Sequence, residues 1–442
     1  MTGRLLNTSL NAGEPGYGRI VGGEGIHFVL DDGRRLIDAS NTAGPLGHAH
    51  PAIVEAIREA ASAPAINEGW YWPERERAAE DLIEIAFAGE HDWVGAVRFF
   101  LSGSEANDLA LSLCQALTGR AKLATRERAY HGMTGLARDM TVQPHWHGGL
   151  SYLAGGVKAP PRAVEVIQLP APIGARFERQ PAEHDLATAA SDAAAQLAEA
   201  AAVIVDYTQG GIYHSRDYQD HVAAAARDAG ALWIADEVVT GLGRTGGWFA
   251  FQAGSARPDL VTLGKPLAGG GAPVGAVVVS REVAMEMSQA AWQTYSTFRG
   301  HPLMVAATRA HLRVLVREQL IDRVRELDSA LERHMRSIFD AHPSVTRIDG
   351  RGLHWTVELA GPDWRSWSGD VAQAPIASRV ADRAADAGAL IGTSGEQTSL
   401  FISPPLIITE QDLSSIIEAL DHGLELADAE MERQAEVLTV RR

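Results

Sequence analysis

Short apolar runs alternate with longer amphipathic segments between about residues 55 and 320 of the chain. Each run carries apolar residues at consecutive positions, which is typical of strands that helices cover on both faces of a sheet. The runs are VRFFL, AAVIVD, ALWIAD, DLVTL and VGAVVV. Because strands and helices alternate, the pattern predicts an α/β domain whose mostly parallel sheet lies between helical layers.

The segments between these runs show helical spacing. In SEANDLALSLCQALTG the apolar residues form one stripe, with Ser104 placed to cap the helix and Gly119 to end it. YQDHVAAAARDAG is a second helix candidate. After residue 300, HPLMVAATRAHLRVLVREQL predicts a long helix that leads toward a different pattern.

The remainder of the chain predicts a smaller α+β domain. It contains LHWTVELA and helix candidates in PIASRVADRAADAG and EQDLSSIIEALDHGLELAD. IHFVLDDGRRLIDAS resembles a hairpin, and we expect the first fifty residues to pack with this smaller domain. The expected boundaries are 1–55 and 326–442 for the two parts of the small domain and 56–325 for the large α/β domain.

Composition narrows the class of protein. The 442 residues are 46% hydrophobic and 21% charged, as in an ordinary globular protein of two or three domains. A formal net charge of -17 argues against nucleic-acid or anionic-membrane partners, because phosphates would be repelled. The single cysteine, Cys114, fits a reducing compartment, and no signal peptide or membrane span stands out, so a cytoplasmic location is expected.

Lys265 lies in VTLGKPLAGGG, between an apolar run and a glycine-rich stretch. The neighbouring residues disfavour a phosphate-binding role for it, and two other motifs in the chain that could bind a dinucleotide or a metal are also disfavoured. A P-loop needs a glycine where Asp259 stands and a serine or threonine where Pro266 stands. GLGRTGG fits a dinucleotide fingerprint, but a poor helix follows it. The H-x-H pairs in GHAHP and PHWHGG lie in loops without a carboxylate at ligand spacing, so no metal is expected.

A nucleophilic lysine is the interpretation that remains. A lysine shielded at the end of a buried strand has a lowered pKa and can form a Schiff base. Pyridoxal phosphate would also need a carboxylate at its ring nitrogen, an anion site for its phosphate and a wall against its ring. Asp236 ends the apolar run ALWIAD, where an ionised carboxylate is costly unless a cation such as a pyridinium meets it.

Two further segments supply the other requirements. FFLSGSEAND passes from strand to helix through Ser102, Gly103 and Ser104, and a helix N-terminus there would bind an anion if Glu105 points away. ERAYHGMTG offers the Tyr130 ring for stacking, with His131 beside it. Each signal is weak alone, but the order of all four along one chain is specific.

The motifs LSGSEAND, AYHG, ADEVVTGLGRTG, PDLVTLGKPLAGG and TFRGHPLMVAA, in this order, resemble class III pyridoxal-phosphate aminotransferases. That family includes ω-transaminases and glutamate-1-semialdehyde aminomutase. The similarity extends from GPLGHAHPAIVEAI to LFISPPLIIT. It implies fold type I, with 56–325 as the cofactor-binding domain and an active site built at a homodimer interface.

The resemblance also implies roles for matching residues. Lys265 would form the Schiff base and move a proton between the substrate Cα and the cofactor C4′, while Asp236 would pair with the pyridine nitrogen. Val238 would pack on the ring opposite Tyr130, which is grouped with these two as catalytic. The remaining cofactor contacts would be Gly103, Ser104, His131, Asp206 and, from the neighbouring subunit, Thr297.

Three positions depart from the family pattern, one that contacts the cofactor 3′-oxygen in relatives and two that concern the substrate. Val239 stands where many relatives have glutamine after DEV. Phe401 stands where relatives that handle glutamate or 4-aminobutyrate have an arginine before PPL, and TQGGIY lacks the glutamate that pairs with that arginine. The carboxylate gate of those enzymes is therefore expected to be absent.

Four other residues are candidates for substrate contact. Trp70, Tyr71 and Trp72 lie in the segment that lines the substrate entrance in relatives, although aromatic residues that fill a dimer interface would give the same pattern. Arg299 could contact a substrate carboxylate, or it could be a surface arginine.

The predicted function is a ping-pong aminotransferase that moves an amino group from a donor amine or amino acid to a keto or aldehyde acceptor. A racemase, epimerase or aminomutase on the same scaffold is the alternative, because fold and cofactor do not decide the outcome. An NAD(P)-dependent oxidoreductase would rest on GLGRTGG alone, and a non-catalytic interaction protein would leave the four-part pattern unexplained.

Overall fold

The computed structural model describes residues 17–143, 146–152, 157–170, 174–179, 195–208, 215–359, 375–394 and 398–440. Its strands are β1 (Ile20–Glu24), β2 (His27–Leu30), β3 (Arg35–Ala39), β4 (Val94–Phe100), β5 (Lys122–Arg126), β6 (Leu150–Ser151), β7 (Val157–Lys158), β8 (Val166–Leu169), β9 (Phe177–Glu178), β10 (Ala200–Asp206), β11 (Leu232–Asp236), β12 (Leu260–Leu263), β13 (Gly275–Ser280), β14 (Val345–Arg351), β15 (His354–Leu359), β16 (Ala389–Thr393) and β17 (Ser399–Ile402). Its helices are α1 (Pro51–Ala60), α2 (Pro73–Asp81), α3 (Gly103–Thr118), α4 (Gly135–Met140), α5 (Arg216–Ala229), α6 (Arg281–Met287), α7 (Pro302–Arg317), α8 (Leu320–Ala341), α9 (Ile376–Asp386) and α10 (Glu410–Val440). Among the helices in these ranges, none is long and apolar enough to cross a membrane.

The large sheet has seven strands in the order β4-β13-β12-β11-β10-β5-β8. The five apolar runs form β4, β10, β11, β12 and β13, and only β13 runs antiparallel to its neighbours. Alternate residues of β10 face opposite layers: Ala202 and Ile204 pack in the core with α3, whereas Val203 and Val205 pack in the core with α5. The predicted α/β fold with a mostly parallel sheet between helices is confirmed.

A second sheet of eight strands, β1-β2-β3-β16-β17-β15-β14-β9, joins the two ends of the chain. β2 and β3 form the antiparallel hairpin that the sequence indicated, and β3 pairs with β16 in parallel, Ile37 opposite Ala389. β9 lies inside the range assigned to the large domain, yet Phe177 pairs with Ile348 of β14. The domain boundaries themselves remain a prediction.

Helix α3 begins two residues earlier than its cap prediction implied. The Ser102 hydroxyl, not that of Ser104, accepts the hydrogen bond from the Glu105 backbone N–H at 3.2 Å. The helix ends at Gly119 as expected, in the left-handed conformation with φ 69° that favours glycine. Because the cap lies at Ser102, Gly103 and Ser104 form the first turn of the helix.

The C-terminal helix α10 is tied to the end of α8 by a buried imidazole. His342 Nδ1 lies 2.7 Å from Asp428 Oδ2, and its Nε2 lies 3.1 Å from Asp421 Oδ1. Asp428 also accepts a hydrogen bond of 3.0 Å from the Ser344 backbone N–H. His342 therefore links the end of α8 to α10, and Asp428 of α10 also binds the loop between α8 and β14.

We expect His342→Ala to lower the free energy of unfolding by about 1–3 kcal/mol, because the buried side of Asp428 loses its strongest partner. Urea unfolding followed by circular dichroism measures this difference. Arg333→Ala, at an exposed position of α8, is the control. Equal stability of the two variants would contradict the proposed link.

Candidate active site

The candidate site lies at the edge of the large sheet where its parallel strands end. Asp206 and Asp236 are the last residues of β10 and β11 and stand opposite each other in the register. A cavity of about 500 Å³ opens at this edge. Ligands of open α/β sheets bind beyond the carboxyl ends of the strands, so the position of the cavity follows from the topology.

Lys265 enters the cavity two residues after β12. It begins a short 3₁₀ turn, Lys265–Ala268, with φ 22°, a backbone conformation that is strained for a residue with a side chain. Burial lowers the pKa of the Lys265 amine, while the charges of Asp236 and Asp206 act in the opposite direction. More of the amine is therefore uncharged and nucleophilic near neutral pH than in an ordinary lysine.

Asp236 is 5% exposed and held by three donors. Its Oδ1 accepts from the Val238 backbone N–H at 3.0 Å, and its Oδ2 accepts from Asn107 Nδ2 at 2.8 Å and from His131 Nδ1 at 2.7 Å. His131 Nε2 lies 2.9 Å from Thr125 Oγ1. Because an ionised carboxylate can only accept, His131 donates from Nδ1, and its Nε2 shares a second hydrogen bond with the Thr125 hydroxyl.

The first turn of α3 also borders the cavity. Ser102, Gly103 and Ser104 line it, and the first backbone N–H groups of a helix are unpaired within the helix, so this turn can bind an anion. A Cβ on Gly103 would lie 2.7 Å from Val238 Cγ1, which leaves room only for glycine. Glu105 points away, because its Oε2 accepts from the Leu101 backbone N–H at 2.7 Å.

The other walls contain an aromatic ring, an apolar face and a second acid. Tyr130 and Val238 both line the cavity, as does Asp206. Arg126, fully buried at the end of β5, donates from Nη2 to Asp206 Oδ2 at 3.0 Å. Burial raises the pKa of Asp206, and the charge of Arg126 opposes that shift.

These features match the chemical requirements of pyridoxal phosphate. A nucleophilic amine can take the aldehyde, a buried carboxylate can meet the ring nitrogen and a helix N-terminus can receive the phosphate. Eight predicted residues line the same cavity: Gly103, Ser104, Tyr130, His131, Asp206, Asp236, Val238 and Lys265. These residues lie at or just after the ends of β4, β5, β10, β11 and β12, which are far apart in the sequence.

The other predicted residues do not line this cavity in a single chain. Trp70 and Tyr71 are 60% and 80% exposed, and Thr297 is also exposed. Trp72 precedes α2 and packs against the main core.

Arg299 is neither a cavity residue nor a surface arginine. It is 4% exposed, and its Nη2 and Nε donate to Glu105 Oε1 at 2.7 and 3.0 Å. Its guanidinium carbon lies 4.8 Å from the centre of the Phe100 ring. In this structure the guanidinium is bound inside the protein and makes no contact with the cavity.

Phe401 lies in β17 and contributes to the small sheet. Its ring is parallel to His354, with ring centres 5.8 Å apart, and a Cβ on Gly392 would lie 2.2 Å from it. The ring therefore fills the space opposite a glycine. The segment TQGGIY, beyond Thr208, lies outside the described residues.

Asn107, Thr125 and Arg126 belong to the site although the sequence analysis did not select them. Asn107 follows Ser104 by three residues on α3, a helical spacing that places both on one side and could have indicated it. Thr125 and Arg126 end β5, so the edge rule for parallel strands was their available signal.

The dinucleotide and metal interpretations find no support. Residues 238–248 form turns and bends, so GLGRTGG does not open a helix. Within the described ranges no group of three or more possible metal ligands occurs. His50 instead caps α1 by accepting from the Ala52 backbone N–H at 3.3 Å, whereas His145 lies outside the described residues.

Comparison with known proteins gives one consistent result. The family model Aminotransferase class-III matches residues 14–424. An acetylornithine aminotransferase from Mycobacterium leprae is 33% identical over 395 residues, which are 88% of this chain and 86% of the relative. An S-selective transaminase from Arthrobacter sp., crystallised with alanine, has a TM-score of 0.87 at 27% identity and covers 96% of both chains. A taurine:2-oxoglutarate aminotransferase from Bifidobacterium kashiwanohense, in complex with PLP and glutamate, has a TM-score of 0.80 at 26% identity, covering 95% of this chain and 94% of that one.

Glu237, beside Asp236, is a fully buried acid that the sequence analysis passed over. It accepts hydrogen bonds from Thr240 Oγ1 at 2.5 Å and from the Phe251 backbone N–H at 2.8 Å. Burial raises its pKa to about 7, above the ordinary value of 4.5, although these hydrogen bonds oppose the shift. Between these two values the folded state retains a proton that the unfolded state releases, so this group makes stability fall as pH rises from 4.5 to about 7.

Glu237→Gln, whose side chain stays neutral at every pH, is expected to remove this pH-dependent loss of stability. The variant should gain up to about 3 kcal/mol in stability relative to the wild type between pH 5 and pH 8. Urea unfolding of both proteins at the two pH values measures the difference, with the exposed Glu80→Gln as control. A constant difference across pH would contradict a protonated Glu237.

Proposed function

This chain belongs to the class III aminotransferases. From that premise we propose that Lys265 binds the cofactor covalently and that Asp236 pairs with its ring nitrogen. The family match and the relatives make the protein a pyridoxal-phosphate-dependent aminotransferase. When bound, the cofactor supplies an aldehyde that captures amines and a ring that withdraws electrons from the substrate carbon. The observation that carries the assignment is that the lysine and the buried carboxylate line one cavity.

Lys265 holds the cofactor covalently and then moves the proton. Its lowered pKa favours the uncharged amine, whose Nζ would bind the cofactor aldehyde and, when freed, would accept a proton from the substrate Cα. The same Nζ would deliver that proton to the cofactor C4′. Lys265 is the only lysine or arginine among the described residues that line the cavity, which favours it for both tasks.

Asp236 keeps the ring nitrogen protonated. Its carboxylate is buried and oriented by Asn107 and His131, so a cationic ring nitrogen is the partner that its remaining acceptor capacity favours. Ser102, Gly103 and Ser104 bind the phosphate through the helix N-terminus. Tyr130 and Val238 cover the two faces of the ring.

A homodimer completes the site in this proposal. Thr297 is exposed in one chain, and two large aromatic residues beside it, Tyr295 and Phe298, are 61% and 59% exposed. Trp70 and Tyr71 add to this aromatic surface. A Cβ on Gly69, the residue before Trp70, would lie 3.6 Å from Tyr295 Cε2. Clustered exposed aromatic residues favour an interface, and Thr297 of a second copy would then reach the phosphate.

We further propose that the preferred amino donor carries an apolar group rather than a second carboxylate. Phe401 and His354 occupy the place expected for a carboxylate-binding arginine. Burial lowers the pKa of His354 to about 3, with contributions from the charges of Arg244 and Lys265. His354 is therefore close enough to Lys265 for the lysine charge to affect its pKa. The surroundings of His354 and Phe401 disfavour an additional cation.

A cytoplasmic location is also part of the proposal. The lone cysteine, Cys114, is buried in α3 among apolar residues, where burial raises the pKa of its thiol well above the usual range. A buried, unreactive thiol fits a reducing compartment.

Lys265→Ala should abolish the absorbance band near roughly 410–430 nm that forms when pyridoxal phosphate is added, because no other amine in the cavity can bind the aldehyde. Amino transfer should fall by at least about 10³-fold. Lys122→Ala is the matched control, since Lys122 pairs with Glu165 and Glu199 on the surface. A band that persists in Lys265→Ala would refute the assignment.

A donor panel tests the substrate class. Amines with an aryl or alkyl group, and alanine, should convert the 410–430 nm band to one near roughly 330 nm faster than glutamate or 4-aminobutyrate does. Stopped-flow absorbance without an acceptor measures each rate. Faster reaction with glutamate would contradict the apolar wall, and loss of optical activity without bleaching would favour a racemase.

A further inference from the structure

The loop 294–300 and the first turn of α3 are joined by charged side chains. Arg299 lies near the end of this loop, and Glu105 lies in the first turn of the helix. Their side chains are 5% and 22% exposed. Two nitrogens of Arg299, Nε and Nη2, donate to one carboxylate oxygen of Glu105. The pair therefore connects two segments separated by 194 residues of sequence.

The same loop is fixed from its other side by Glu68. The Ser296 backbone N–H donates to Glu68 Oε2 at 3.0 Å, and Arg98 donates from Nη2 to Glu68 Oε1 at 2.7 Å. Arg299 Nη1 donates to Thr294 Oγ1 at 2.7 Å and lies 3.5 Å from Glu68 Oε2. The loop is thus held by charge-assisted hydrogen bonds at several points.

Glu105 performs two tasks that have opposite electrostatic effects. Its Oε2 accepts the Leu101 backbone N–H and so closes the turn that carries Ser102, Gly103 and Ser104. Its negative charge, however, stands in the helix turn that faces the cavity, where it opposes a bound anion. A cation at Glu105 removes that repulsion while leaving the turn closed.

We propose that Arg299 is a positioning residue for the anion-binding turn: it neutralises Glu105 and fixes this turn so that it binds the phosphate group of the cofactor. The inference rests on the proposed function, which places the phosphate at this turn. Arg299 acts through Glu105 and touches neither the cavity nor the reacting atoms.

The test compares pyridoxal phosphate with pyridoxal, which lacks the phosphate group. Apoenzyme is prepared from the holoenzyme and titrated with each compound, and the absorbance band reports the dissociation constant. Arg299→Gln leaves the Glu105 carboxylate uncompensated, so its dissociation constant for pyridoxal phosphate should rise at least about tenfold. The constant for pyridoxal should change less than about twofold.

A second variant separates charge from general loss of structure. In Arg299→Gln combined with Glu105→Gln the carboxylate is gone, but the amide oxygen can still accept the Leu101 N–H, so most of the affinity for pyridoxal phosphate should return. Arg299→Lys keeps the charge without the two-nitrogen grip, and we expect an intermediate loss. If Arg299→Gln alone fails to fold, Arg299→Lys and the double variant still test the proposal.

Arg257→Gln is the matched control, because Arg257 also pairs with a buried glutamate, Glu90, and lies over a phenylalanine ring. It should leave the preference for pyridoxal phosphate over pyridoxal at the wild-type value. Equal weakening of both compounds by Arg299→Gln, or no recovery in the double variant, would overturn the inference. Wild-type protein that binds both compounds equally would instead remove the phosphate site itself.

Discussion

A carboxylate buried at the end of a strand must be matched by donors and by positive charge, and Asp236 is the group around which this site is arranged. Its hydrogen bonds reach α3 through Asn107, the segment after β5 through His131 and its own turn through the Val238 N–H. Two of these partners are themselves held, since His131 contacts Thr125 and Asn107 also donates to the His131 carbonyl. Satisfying one charge therefore fixes the relative position of three segments that line the cavity.

The sheet makes this convergence possible because strands that run in the same direction present their carboxyl ends along one edge. The strand before Lys265 also approaches α3 closely: a Cβ on Gly264 would lie 3.0 Å from the Gly103 nitrogen. That close approach accompanies the strained backbone at Lys265, φ 22°. The lysine is thus placed next to the anion-binding turn by backbone packing, and its lowered pKa follows from the same burial.

Local signals allowed the strands, the C-terminus of α3 and cavity-lining residues such as Lys265 and Asp236 to be predicted from the sequence. Apolar runs and a terminal glycine such as Gly119 act within a few residues, so pattern analysis detects them. The cap at Ser102 was missed by two positions, because serine occurs at both places in SGSE. Pairings such as Phe177 with Ile348, or Arg299 with Glu105, depend on three-dimensional proximity that a single sequence does not encode locally.

The surroundings of Phe401 suit an aromatic ring. A guanidinium at this position would lie beside His354, whose pKa burial lowers to about 3, in a setting that already disfavours positive charge. The Phe401 ring also needs the space that Gly392 leaves open, so glycine, histidine and phenylalanine form one packed group. An arginine at position 401 would lose the ring contact with His354 and would place a charge where Gly392 leaves space for an uncharged ring. The stacked rings and the glycine opposite them are therefore one packing unit of the small sheet.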